Sequence, residues 1–156
     1  KWDRVEKDDR SAGQFALGIK ESYASLAYAP VTTISAMTGQ RIGRILPLVD
    51  EVLAQHRRRL ATGAINETFE KAIAAAPPTG GRRAFRISYA TQTATRPPTF
   101  VVFGRGSQEP TEALRRYLMN RLREGHGLAG TPLRLHFRRE SARQGRGRKG
   151  RGGQTA

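Results

Sequence analysis

No cysteine occurs anywhere in the chain. That excludes disulfides and thiolate metal ligands, and it is compatible with a reducing cytosol. No apolar run approaches the roughly 18 residues needed to span a bilayer, and no charged-then-apolar leader opens the chain, so a soluble, cytoplasmic protein with no membrane partner is expected. No G-x-x-x-x-G-K-[ST] stretch is present, so β- and γ-phosphates and magnesium lack their usual cradle. The three histidines, His56, His126 and His136, are dispersed, with no acidic pair or serine at a spacing that suggests a catalytic triad or metal site. Acidic residues are also scarce. Thirteen Asp and Glu stand against 28 Lys and Arg, a formal charge of +15, which points to a polyanionic partner such as nucleic acid.

The excess is lopsided. Residues 1–60 carry 10 basic and 7 acidic side chains, and residues 61–156 carry 18 and 6, so the net charges are +3 and +12. With 156 residues and 37% hydrophobic content, two small units fit better than one large core. The chain begins at Lys1 rather than methionine, which suggests a portion of something longer.

In the first unit, residues 1–60, Asp8 or Asp9 can cap a helix from about Ser11, with Phe15, Ile19, Tyr23 and Leu26 as its packed face. The β-branched run Val31-Thr32-Thr33-Ile34 predicts a buried strand leading into the loop Ser35-Ala36-Met37-Thr38-Gly39. From Gln40 to Arg59 the apolar residues Ile42, Ile45, Leu46, Val49, Val52 and Leu53 recur at helical spacing, with a kink expected at Pro47. Arg57-Arg58-Arg59 closes that helix, either as a solvated C-terminus or as an RNA contact.

Leu60-Ala61-Thr62-Gly63 marks a boundary, after which Ile65, Phe69, Ala72, Ile73 and Ala76 predict a helix ended by Pro77-Pro78 and a Thr79-Gly80-Gly81 loop. Phe85, Ile87, Tyr89 and Thr91 alternate with polar neighbours, the pattern of a strand with those four on its buried face. Thr99–Phe103 predicts a second strand, separated from the first by Pro97-Pro98 in a hairpin or close crossover. Tyr89 and Phe100 are expected in the core rather than as stacking platforms. Leu114, Tyr117, Leu118 and Leu122 predict a further helix, ending at Gly125 and Gly127. Leu133, Leu135 and Phe137 alternate with Arg134, His136 and Arg138 in a last strand with a basic outer face. Residues 61–139 thus read as α-β-β-α-β, an α+β unit with helices on one sheet face and the other face wet. Residues 140–156, rich in glycine and arginine, are expected to be disordered.

Two short stretches carry chemistry. Lys1-Trp2-Asp3 fits the end of an N-K-x-D guanine-recognition loop, in which a carboxylate accepts two hydrogen bonds from the guanine ring. Ser35-Ala36 fits a second guanine loop, whose backbone N–H meets the guanine carbonyl. Adenine places an amino group there, so the two loops together would discriminate between the bases. Taken singly, the first is also a plain solvated terminus and the second a plain turn capped by Thr38.

KWDRVEKDDR, LAYAPVTTISAMTGQRIGRILPLVDEV, ISYATQTATRPPTFVVF and YLMNRLREGHGLAGTPLRLHFRRE, in this order, closely resemble the C-terminal part of the bacterial tandem GTPase family Der (EngA) over about residues 1–140. The resemblance implies the end of a P-loop GTPase domain, a truncated α/β remnant over 1–60, followed by a KH-like domain over 61–139. It implies a parent that hydrolyses GTP to GDP with Mg2+ and acts in assembly of the large ribosomal subunit, binding its ribosomal RNA and packing against the other G domain of the same protein. Lys1, Asp3, Ser35 and Ala36 match the guanine loops. No residue matches a phosphate loop or switch, so no catalytic residue or metal ligand is assigned, and this chain alone is expected neither to hydrolyse nor to hold nucleotide tightly.

The G-x-x-G loop of RNA-binding KH modules joins two helices, whereas Gly127-Leu128-Ala129-Gly130 lies between a helix and a strand and reads as a helix C-cap. RNA contact rests instead on charge, from Arg82, Arg83, Arg86, Arg134, His136 and Arg138. A freestanding basic RNA-binding protein without nucleotide chemistry is the alternative.

Overall fold

The computed structural model describes residues 2–4, 11–76 and 83–140. Lys1, the expected cap at Asp8 or Asp9, the Pro77-Pro78 stop, the glycine loop, Arg82 and the tail lie outside them. Four helices and one three-stranded sheet follow in the order α1 (Ser11–Ser22), α2 (Ile45–Arg57), α3 (Thr62–Ala75), β1 (Arg86–Thr95), β2 (Pro98–Arg105), α4 (Glu112–His126) and β3 (Arg134–Arg139). The second half is α-β-β-α-β, as its periodicities predict.

The sheet order is β1-β2-β3. β2 pairs antiparallel with β1 through a hairpin and parallel with β3, which α4 makes possible by carrying the chain back across one face. Phe100, Val102 and Leu135 point towards the helices, where Ile65, Phe69 and Ala72 of α3 and Leu118 and Leu122 of α4 meet them in a single core. The caps of α4 are built from sequence-local chemistry. Thr111 Oγ1 accepts from Leu114 N at 3.2 Å, and Gly127 ends the helix at φ 60°, a left-handed backbone that costs glycine little. Gly127 to Gly130 is therefore a C-cap and turn, with Leu128 driven into the core.

β1 departs from simple alternation. The register shifts between Ile87 and Tyr89, where Ser88 is inserted without a partner on β2. Such a bulge moves the side chains that follow it to the opposite face, until a second shift between Gln92 and Ala94. Ala90 and Gln92 consequently point to the core, while Tyr89 lies on the outer face, 44% exposed and stacked on Phe103. The predicted buried face is correct at Phe85 and Ile87 and reversed beyond them. Phe100 is fully buried, as expected.

The free edge of β1 is occupied by side-chain amides. Asn66 of α3 donates from Nδ2 to Ala90 O (3.1 Å) and accepts from Ala90 N at Oδ1 (2.7 Å), so one amide stands in for a neighbouring strand. Gln92 accepts from Leu60 N (2.7 Å) and donates to Arg58 O (2.9 Å) and Ala94 O (3.1 Å), tying the segment between α2 and α3 to the sheet.

The first half differs more from expectation. Val31–Ile34 forms no ladder, because no strand of the described residues lies beside it; Ile34 O accepts from Trp2 N at 3.2 Å. The predicted helical face is cut short, because α1 ends at Ser22 and leaves Tyr23 and Leu26 beyond it, Leu26 in a separate 3-10 turn; all four apolar residues, Phe15, Ile19, Tyr23 and Leu26, are between 42% and 60% exposed. Ile42, Leu46, Val49 and Leu53 are likewise open. Pro47 does not kink α2. The helix starts at Ile45, which puts Pro47 in the first turn, where its missing N–H would have had no helical acceptor.

Candidate guanine loops and a basic sheet face

The N-terminal residues and the loop after Ile34 meet, although 32 residues separate them. Trp2, 7% exposed, packs edge-on against Phe15 with ring centroids 5.6 Å apart, and this anchors the short 3-10 turn Trp2–Arg4. Asp3 is thereby placed beside Ser35. The fully buried Ser35 donates from Oγ to Asp3 Oδ1 at 2.5 Å and accepts from Thr38 N at 3.3 Å. Its own backbone N–H goes to Gln40 O, which curls the loop, and Gly39 (φ 71°) and Arg41 (φ 62°) turn it through left-handed backbone. Ala36 follows on the surface. A carboxylate held by a buried hydroxyl has a fixed orientation, which is what recognition of a base edge by paired hydrogen bonds requires.

Arg134, His136 and Arg138 are all exposed on the outer face of β3, and no ion pair among the described residues involves them. The register sets them beside Thr99, Val101 and Phe103 of β2. Arg86 is exposed at the start of β1, opposite Arg105, and Arg83 is exposed just before it. Arg86 and Arg138 therefore lie towards the same end of the sheet, which brings the basic positions into two groups, one strand and one corner. Arg105 itself is paired with Glu140 at 2.6 Å.

A cleft of about 600 Å³ opens on the helical side between α3 and α4, lined by Glu67, Lys71, Arg121, Glu124 and His126. Its charges pair internally, Lys71 with Glu67 at 2.6 Å and Arg121 with Glu124 at 2.9 Å, so it favours no ligand of one sign. The Lys71 ammonium, by hydrogen bond and charge, holds the Glu67 carboxyl below the usual range. His126 Nε2 lies 2.7 Å from Thr68 Oγ1; since that hydroxyl donates to Ala64 O, it accepts from the imidazole.

The end of α2 is bolted to the turn after α4. Gln55 Oε1 accepts from Gly130 N (2.6 Å), His56 Nδ1 lies 2.8 Å from the fully buried Thr131 Oγ1, and Arg58 Nη1 donates to His126 O (2.6 Å). Within the Arg57–Arg59 triplet, Arg58 thus has a structural partner. Arg123 reaches across as well, its guanidinium 4.9 Å from the Tyr28 ring centre, and burial pushes its pKa down.

The family profile described as "KH-domain-like of EngA bacterial GTPase enzymes, C-terminal" matches residues 59–138. Curated relatives named "GTPase Der" include those of Syntrophobacter fumaroxidans, 44% identical over 140 residues, Citrifermentans bemidjiense at 42% and Moorella thermoacetica at 41%. These matches cover 88%, 88% and 89% of this chain but only 31%, 32% and 32% of the relatives. The chain spans about a third of their length, at the C-terminal part.

Proposed function

The chain belongs to the family of KH-like C-terminal domains of EngA bacterial GTPases, and we propose that it is the C-terminal part of a Der-type GTPase acting in the cytoplasm on the large ribosomal subunit. Residues 1–60 would supply the guanine-recognition end of a G domain, a truncated α/β remnant. Residues 61–139 would dock on ribosomal RNA and against the protein's other G domain. The observation that carries the nucleotide half is the meeting of Asp3 with Ser35, at the spacing expected of two guanine loops.

The residues present fit only one end of the nucleotide. Asp3, oriented by Ser35, would accept from the N–H groups of the guanine edge, Lys1 would lie along the base, and the backbone at Ala36 would face its carbonyl oxygen. An adenine there would leave buried polar groups unpaired, the mismatch that gives polar sites their selectivity. GTP or GDP with Mg2+ would take its phosphate contacts from other parts of the full-length protein, so this chain alone would select the base without catalysing hydrolysis. The RNA half is supported by a charge of +12 on residues 61–156 and by the exposed basic column on β3, which no ion pair among the described residues involves.

The test is Asp3→Asn in the full-length protein. Exchange of the carboxylate for an amide should move preference from guanine to xanthine nucleotides, because the amide pairs with a carbonyl where the carboxylate paired with an amine. Unchanged guanine preference would remove Asp3 from the base site.

A further inference from the structure

The sheet has a second face that the core does not use. The register places Tyr89, Phe103 and Arg138 in one row across β1, β2 and β3, and Thr91, Val101 and His136 in the next. The rings of Tyr89 and Phe103 are nearly parallel, 6° apart in plane with centroids at 4.6 Å. Phe103 thus covers one side of the Tyr89 ring and holds it upright on the sheet, while 44% exposure leaves much of the tyrosine open. Two strand spacings away, about 10 Å, runs the column Arg134, His136, Arg138, exposed and free of ion pairs among the described residues.

We propose that this outer face binds single-stranded RNA, with an unpaired base stacked on Tyr89 and the phosphates beside it on the β3 cations. The proposal rests on the RNA-docking function given above and names its site. Charge complementarity selects the occupant. The acidic residues at this end of the sheet, Glu140 and Glu109, are engaged by Arg105 and Arg139, so among the described residues no ion pair neutralises Arg134, His136 or Arg138. An aromatic ring held rigidly next to such a column is the combination by which sheet surfaces hold single strands: π-stacking tolerates any base, and the cations follow the backbone. A double helix keeps its bases stacked inside and gains only the charge term. Neither the α3–α4 cleft, whose charges cancel, nor the Gly127–Gly130 turn, which is consumed by the α4 cap and α2, offers this pairing of ring and charge.

The experiment uses the 156-residue chain and a fluorescently labelled eight-nucleotide oligouridine, with an RNA duplex of similar length as control, followed by anisotropy in low salt. Tyr89→Ala should weaken oligouridine binding about 5- to 100-fold, and Tyr89→Phe should bind within about twofold, since both aromatics stack. Duplex affinity should be the same for all three proteins, which also shows that the alanine variant is folded. Arg138→Ala should weaken both RNAs alike and flatten the salt dependence by about one unit of slope. Equal oligouridine affinity of Tyr89→Ala and the unaltered chain would overturn the stacking site and leave the face to a protein surface. If the unaltered chain bound neither RNA, the docking function itself would fall with it.

Discussion

Replacing Gln92 by leucine tests whether a single buried amide holds the two halves of the chain in register. Gln92 is 4% exposed and makes three hydrogen bonds, to Leu60 N, Arg58 O and Ala94 O. Leucine has a similar volume but neither donor nor acceptor, so the Leu60 N–H loses its partner in a half-buried position at a cost of about 1–3 kcal/mol. Losing the two donated bonds adds about 1 kcal/mol each at most, because exposed Arg58 can turn its carbonyl to water. Burying more apolar surface offsets about 1 kcal/mol, leaving a net loss of about 2 kcal/mol at the middle of these ranges. For a unit of this size, each kcal/mol lowers the unfolding midpoint by about 4–8 °C, so thermal denaturation followed by circular dichroism should show a fall of about 8–16 °C. Gln92→Glu separates geometry from chemistry. It keeps the acceptor for Leu60 N but aims a carboxylate at two carbonyls, and it should be at least as damaging at neutral pH. A Gln92→Leu protein within about 0.5 kcal/mol of the parent would refute the reasoning, for it would mean that water or a shifted backbone satisfies these groups at no cost.

Two further perturbations probe other parts of the same unit. A Cβ at Gly104 would lie 2.2 Å from Arg86 O and 2.6 Å from the Phe85 ring, contacts that only movement of β1 can relieve; Gly104→Ala should cost about 3 kcal/mol or more, and an unfolding midpoint matching the parent's would contradict it. The Glu67 carboxyl is held below its ordinary value by Lys71, so the pair's stabilisation is present above the unfolded-state pKa and disappears as pH falls through the folded one. Glu67→Gln should therefore lower the midpoint slightly near neutral pH and leave it unchanged at about pH 2, where both proteins carry an uncharged group at 67; a difference that persisted in acid would assign the effect to something other than the ion pair.

How far the fold was legible depended on which physical effect wrote the pattern. α4 and β3 were readable because their periods are unbroken: Leu118 and Leu122 one turn apart, Leu135 between two exposed residues. β1 was not, since a bulge is a property of the pairing with β2 and leaves no mark in the composition of Ile87-Ser88-Tyr89. The alternation alone therefore places Tyr89 in the core, and nothing in it marks the pair stacked on the outer face. α1 and α2 were readable as helices, but an apolar stripe states that a face is suited to burial without supplying its cover, and Leu17, Leu46 and Val49 stay open among the described residues. At Pro47 the error lay in the helix boundary, where a start a few residues later changes a kinking position into a tolerated one. The alternation and motif spacing single out Asp3 and the Ser35-Ala36 loop separately, whereas the hydrogen bond between Ser35 Oγ and Asp3 is a tertiary contact across 32 residues that no local pattern marks. The Gln55, His56 and Arg58 contacts are likewise unmarked, because no local rule links α2 to a turn some 70 residues on.

Those last contacts join the two candidate surfaces. Ser35, which orients Asp3, sits in the loop that leads through Arg41 into α2, and the far end of α2 is fastened to Gly130, Thr131 and the end of α4. The fastening leaves little slack. A Cβ at Gly130 would come within 2.8 Å of Val52 and 3.3 Å of Gln55 Oε1, and one at Gly127 within 2.8 Å of Arg58 Nη1. Polar bolts at such closeness fix orientation more than they add stability, because a sliding apolar contact keeps most of its energy when displaced whereas a buried hydrogen bond does not. A change at the candidate guanine loops that moved the start of α2 would therefore have to be absorbed within the helix or passed on to the turn before β3. That strand carries Arg134, His136 and Arg138, so the basic column is the first surface of the KH-like unit to receive any such displacement.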